Sequence, residues 1–106
     1  MRVLAFLAFF LFWTSISHGE NIIRSTIKGQ KFNPDEIHIK SDTPVVFQVT
    51  NEDSVPVEFE SLDLNKEKIV WPGKTIDIPL KGLKPGVYEF FSDFGPKDLK
   101  GKIIVE

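Results

Sequence analysis

The chain has 106 residues, room for one small domain. Its 13 Lys+Arg against 15 Asp+Glu leave a formal net charge of -2, without the basic excess of a nucleic-acid-binding surface. There is no Cys, which excludes disulfides, zinc-thiolate sites, iron–sulfur clusters, thiol nucleophiles and lipid attachment through a cysteine.

Residues 1–19 read as a secretory signal peptide. Arg2 supplies a positive start, residues 3–13 are an unbroken apolar run of eleven, and Ser17 and Gly19 place small residues before a cut at Glu20. Eleven apolar residues fall short of the ~20 that a membrane-spanning helix needs. The expectation is a periplasmic or secreted protein with no membrane span after cleavage. The cut chain would keep one histidine, His38, and no methionine.

The rest alternates in period two, which sends successive side chains to opposite faces of a sheet. Residues 23–28 are a short predicted strand ended by Gly29. In residues 36–40, Ile37 and Ile39 share one face and His38 takes the other, as an exposed strand histidine. Val45, Phe47 and Val49 share a face in residues 44–50. In residues 57–60, Val57 and Phe59 point inward, Glu58 and Glu60 outward. Residues 61–68 have weak helical character and are expected to make a single linking turn. Trp71, just before Pro72-Gly73, is expected to be a core or half-buried aromatic at a strand end. Residues 75–78 alternate again, residues 87–90 turn Tyr88 and Phe90 inward, and residues 102–105 close the chain. Asn33-Pro34-Asp35, Pro72-Gly73 and Lys84-Pro85-Gly86 supply turn chemistry between strands. Seven or so short strands with such punctuation predict an all-β, antiparallel sandwich. Lys28, Lys40 and Lys102 are expected to blunt strand edges, which favours a monomer.

Three blocks together resemble the cupredoxin family over residues 32–106. They are Thr50-Asn51-Glu52-Asp53-Ser54 running on to Val57-Glu58-Phe59, then Pro85-Gly86-Val87-Tyr88-Glu89-Phe90-Phe91, then Gly101-Lys102-Ile103-Ile104-Val105. The resemblance implies a Greek-key β-sandwich of cupredoxin type, seven to eight strands, over residues 20–106. It also locates the copper ligands of blue-copper members. The first His position falls on Val57, the Cys on Ser92, the second His on Gly95, and the Met at about Leu99. None of the four matches. A blue-copper site needs a thiolate and two imidazoles, so no blue-copper centre and no electron transfer through copper are expected.

Within that family, residues 57–61, 67–70, 72–73 and 83–94 are similar to the EfeO-type cupredoxin-like domain of secreted or periplasmic proteins, several tied to iron uptake. Many such domains carry a His after the Asp-Phe of the last loop, where Gly95 stands here. The resemblance makes Glu58, Glu67 and Asp93 the leading candidate metal ligands, with Glu60 and Glu89 behind them. Converging carboxylates suit a hard cation, and an iron or copper ion is the implied cofactor. Close carboxylates also repel, so without metal at least one should bind its proton more tightly. Alternation alone offers a simpler account, in which these carboxylates face water. Phe91 and Phe94 are candidates for an apolar rim near the last loop.

The expected function is an exported metal-handling accessory protein in iron, or copper, uptake. Its implied partners are a membrane metal permease or other periplasmic uptake components. No nucleophile–base–orienter set is visible, so the chain is not expected to be an enzyme. The alternative is a metal-free β-sandwich that docks onto another protein.

Overall fold

A computed structural model describes residues 21–93 and 95–106. The expected signal peptide and Phe94 lie outside the described residues. Nine strands follow in chain order: β1 (Asn21–Ile27), β2 (Phe32–Asn33), β3 (Glu36–Ile39), β4 (Val45–Asn51), β5 (Val57–Ser61), β6 (Lys66–Val70), β7 (Thr75–Leu80), β8 (Gly86–Ser92) and β9 (Lys100–Val105). No helix is present among the described residues, so none there is long and apolar enough to cross a membrane.

The strands form two sheets, in the orders β2-β1-β4-β7 and β3-β9-β8-β5-β6. The all-β sandwich expected from the sequence is what forms. Its ladders are mixed, because β1 pairs with β4 and β3 with β9 in parallel, while the other pairs are antiparallel. The chain leaves the first sheet after β2, adds β3 to the second, and returns as β4. That excursion lets β1 and β4 point the same way.

Two strands exceed the sequence expectation. One is the two-residue β2. The other is β6, which takes part of the segment expected to be a single turn. The turn itself is confined to residues 62–65. The Ser61 hydroxyl accepts a hydrogen bond from the Leu64 N–H at 3.1 Å, and Asn65 takes the left-handed conformation (φ 56°) that reverses the chain. β6 lies at a sheet edge and buries only Val70, so it carries little apolar alternation to read.

The two layers meet through four phenylalanines. Phe32 and Phe47 come from the first sheet, Phe59 and Phe90 from the second. Phe59 stacks on Phe90 at 5.2 Å, and Phe32 meets the Phe90 ring edge-on at 4.9 Å. Phe47 reaches both partners, at 6.0 and 5.5 Å. Ile27, Val49, Val70, Ile78, Leu99 and Ile103 are fully buried around them. Each aromatic contact adds roughly 0.5–1.5 kcal/mol beyond the area it buries.

Gly101 makes room for this packing. It sits opposite Phe90 in the β8–β9 ladder, and an added Cβ would lie 2.5 Å from the Phe90 ring and 2.5 Å from the Asp35 carbonyl oxygen. The same carbonyl accepts from the Lys102 N–H at 2.8 Å, so it is not free to move aside.

Buried Asn51 fixes the end of the sandwich near the last loop. Its amide donates to the carbonyls of Val55 (2.8 Å) and Val70 (2.9 Å), and its oxygen accepts from the Asp53 N–H (2.9 Å). This sets the path of the chain into β5.

Two smaller expectations are corrected. Trp71 is 57% exposed, because Val70 takes the inward position and period two turns its successor outward. Lys102 lies on β9, inside the five-stranded sheet, and so blunts no edge.

Replacing Phe90 by Ala is expected to cost about 3–5 kcal/mol in urea unfolding. Gly101→Ala should cost about 1–3 kcal/mol by overpacking the same ring. A Gly101→Ala protein with an unchanged midpoint would contradict the close approach described here.

Candidate metal centre

The outer face of β5 carries Glu58 and Glu60, because Val57, Phe59 and Ser61 point into the core. In the β5–β6 ladder Glu60 stands directly opposite Glu67, and Glu58 opposite Ile69. In the β5–β8 ladder Phe59 faces Ser92 and Glu60 faces Phe91. Continuing that register brings Asp93, just past β8, beside Glu58. Three neighbouring chain segments thus deliver four carboxylates to one patch.

One oxygen from each of Glu58, Glu60, Glu67 and Asp93 lies within 4.8 Å of the others. Glu58 and Glu60 are partly buried, Glu67 and Asp93 exposed. Among the described residues, the ion pairs are confined to the Glu36, His38, Lys102 and Glu106 side chains, so no cation neutralises this patch. Lys68, on the adjoining strand, turns its ammonium to the Asp77 carbonyl at 3.1 Å.

The electrostatics follow. Glu60 is pushed up to about 7, first by a hydrogen bond with Asp93, then by desolvation, then by the charges of Asp93, Glu67 and Glu58. Glu58 is raised for the same kinds of reason, with the Asp93 hydrogen bond again the largest. Ionised carboxylates only accept, so a hydrogen bond between two carboxyl groups needs a proton on one of them. Glu60 Oε1 is shielded from solvent and has no hydrogen-bond partner among the described residues.

Of the five carboxylates singled out in the sequence, the structure brings together Glu58, Glu60, Glu67 and Asp93. It does not bring in Glu89. That residue faces Lys102 in the β8–β9 ladder, and its N–H donates to Asp63 at 2.8 Å. Glu60, ranked behind Glu58 in the sequence reading, sits at the crowded centre. The signal that would have promoted it is its register opposite Glu67, which required knowing that β6 is a strand. Phe91 is partly buried on the same face, beside Glu60.

The four positions expected for blue-copper ligands gather at the end of the sandwich. Val57, Gly95 and Leu99 line one depression of about 340 Å3, together with Gln30, Asp53, Val55 and Pro56. Ser92 is tied to that lining through its backbone, its N–H donating to the Leu99 carbonyl at 3.0 Å. Val57 and Leu99 are buried. Two aliphatic side chains, a glycine and a serine do not supply the thiolate and imidazoles of a blue-copper ion. The residues present do not fit that group.

The sequence profile of the Cupredoxin-like domain matches residues 1–105. The chain belongs to the cupredoxin-like domain family. It is 43% identical over 83 residues to an uncharacterized protein of Rickettsia prowazekii (strain Madrid E), a match covering 78% of this chain and 66% of that protein. The chain thus spans just under two thirds of that relative. Among solved structures it is similar to the metal-binding domain of the Cu(I)-exporting P-type ATPase of Streptococcus pneumoniae, determined with Cu(I). That match has a TM-score of 0.71 and 17% identity, covering 87% of this chain and 91% of the other. A purple cupredoxin from Nitrosopumilus maritimus matches with a TM-score of 0.60 and 22% identity, over 78% of this chain and 98% of the other. These structural likenesses establish a shared fold.

A carboxyl whose folded pKa lies above its ordinary value of 4.5 binds more protons folded than unfolded. Stability from Glu60 is then highest at acid pH and falls as pH rises from about 4.5 through about 7. Glu60→Gln is expected to raise the thermal midpoint at pH 8 and to flatten the decline between pH 5 and 7. A midpoint at pH 8 that is unchanged or lower would show that the carboxylates do not strain one another.

Proposed function

We propose that this cupredoxin-like protein handles a hard metal cation through the carboxylates of Glu58, Glu60, Glu67 and Asp93. The observation that carries the reading is the convergence of four carboxylate oxygens within 4.8 Å, with no cation paired to them among the described residues. An all-oxygen donor set favours hard ions over a soft one such as Cu(I). Iron is the cation we assign, with Cu(II) second, and it is cargo rather than a resident redox centre. A bound cation would remove the repulsion that raises Glu58 and Glu60, and would give the orphaned Glu60 oxygen a partner.

The apolar run of residues 3–13 followed by Ser17 and Gly19 supports export. The similarity of residues 83–94 to EfeO-type domains supports a role in iron uptake, with delivery to a membrane permease. The role proposed is binding and presentation of the cation.

Thermal unfolding of the protein, titrated with ferrous, ferric, cupric, zinc and calcium ions, tests the assignment. A cation that binds only the folded state adds about 2.7 kcal/mol at a hundred times its Kd, or roughly 10–20 °C for a domain this small. The expected result is a saturable rise with iron that is lost in Glu60→Gln and in Asp93→Asn. The same Glu60→Gln protein should be more stable than the parent without metal. No rise with any ion would sink the metal reading and leave protein docking as the role of the sandwich.

A further inference from the structure

The opposite margin of the five-stranded sheet holds a second charged group of a different kind. β3 is an edge strand, paired with β9 in parallel, with Glu36 opposite Lys102 and His38 opposite Ile104. Ile37 and Ile39 point into the core, so Glu36, His38 and Lys40 face out. The His38 ring lies between two carboxylates. Nε2 is 2.9 Å from Glu36 Oε2, and Nδ1 is 3.2 Å from Glu106 Oε1. Lys102 Nζ closes on the other Glu36 oxygen at 3.7 Å.

This arrangement specifies a protonation state. A neutral imidazole has one N–H and one lone pair, whereas an imidazolium donates from both nitrogens. An ionised carboxylate only accepts. With both ring nitrogens facing carboxylates, only the imidazolium satisfies both contacts. The row Lys102, Glu36, His38, Glu106 is then charge-balanced, plus, minus, plus, minus. A neutral ring leaves it one charge negative, with a nitrogen lone pair aimed at a carboxylate oxygen.

We propose that these side chains form a proton-operated latch, in which protonated His38 reinforces the pairing of edge strand β3 with the end of β9 and loosens it when the ring loses its proton. Backbone contacts show what the latch reinforces. The Glu106 N–H donates to the Ile39 carbonyl at 3.1 Å, and the Ser41 N–H to the Glu106 carbonyl at 2.9 Å. β3 is only four residues long, and β9 is its one sheet neighbour among the described residues. The charged groups around the ring are Glu36 and Lys40 on its own strand, Lys102 and Glu106 from the β9 side, and Glu89 of β8 beyond Lys102.

The sign follows from the partners. Hydrogen bonds from Glu36 and then Glu106 raise His38 above its ordinary 6.5, and the His38 hydrogen bond is the main cause lowering Glu36 below its ordinary 4.5. The His38 contribution is full below pH 6.5 and fades as pH rises through the raised value. The Glu36 contribution is full above pH 4.5 and fades as pH falls through the lowered value. The latch is therefore at full strength in mildly acid solution, between those limits. It shares no residue with the carboxylate patch and stands or falls without it.

NMR titration of the full chain, with the ring signal assigned by comparison with His38→Gln, tests the proposal. His38 should titrate above 6.5 in the parent and return to about 6.5 in the Glu36→Gln/Glu106→Gln double variant. Amide-exchange protection of Ile37, His38 and Ile39, corrected for intrinsic rates, should fall roughly two- to fivefold as the ring deprotonates, the effect expected of exposed ion pairs. In His38→Gln that fall should vanish. A parent titrating at or below 6.5, a double variant titrating like the parent, or protection that ignores His38 would each overturn the latch.

Discussion

The contact on which the site depends is the stack of Phe59 on Phe90, 5.2 Å apart on adjacent strands and fully buried. Once those rings point inward, period two leaves no choice for their neighbours. Glu58 and Glu60 flank Phe59 and must face outward. Asp93 lies three residues after Phe90, and so shares the outer parity of Phe91. A one-residue slip in either strand would relieve the carboxylates by burying them in the core, at far greater cost. Their crowding is thus held in place by hydrophobic burial. Gly101 belongs to the same constraint, since a side chain there would displace the Phe90 ring.

The carboxylate patch and the positions of blue-copper ligands are two sides of one sheet. Val57 and Ser92 stand at ligand positions, and Glu58 and Asp93 are the residues that follow them. Each step along the strand changes face. The depression at the end of the sandwich is aliphatic at Val57 and Leu99, while the carboxylates collect on the reverse surface. The proposed cation site therefore rests on the donor atoms of this chain and not on the family fold.

Most of the fold was legible because its strands bury one face cleanly. β4 reads Val45, Phe47, Val49 and β5 reads Val57, Phe59, and both patterns survive unchanged in the structure. β6 was not legible, since Lys66, Glu67, Lys68 and Ile69 leave only Val70 to bury. That omission propagated to the site. Without β6, Glu67 could be placed near the others only by resemblance, and Glu60 had no visible reason to outrank Glu89. The parallel ladders were also beyond reach, because alternation gives the face of each residue and not the direction of the neighbouring strand. Trp71 shows the complementary failure: size suggested burial, and the parity set by Val70 decided otherwise.

The outer face of the five-stranded sheet provides its own control for the simplest account of these charges. An ordinary solvated strand surface intersperses opposite signs, and the β3–β9 margin does so, with Lys102, Glu36, His38 and Glu106 alternating along the seam. The β6–β5–β8 margin does not. There four acidic groups meet with no paired base among the described residues, although the chain has nearly as many basic residues as acidic ones. Lysines are close in sequence, yet Lys68 stands opposite Phe59, off the face of Glu67, and bonds the Asp77 carbonyl, and Lys100 lies across Phe91 from Glu60 in the adjoining ladder. Solubility alone asks only for charge, of either sign, at such positions. A patch that repels itself and keeps one oxygen from both solvent and partner asks for more than solubility does, and that is the ground on which the proposed cation site rests.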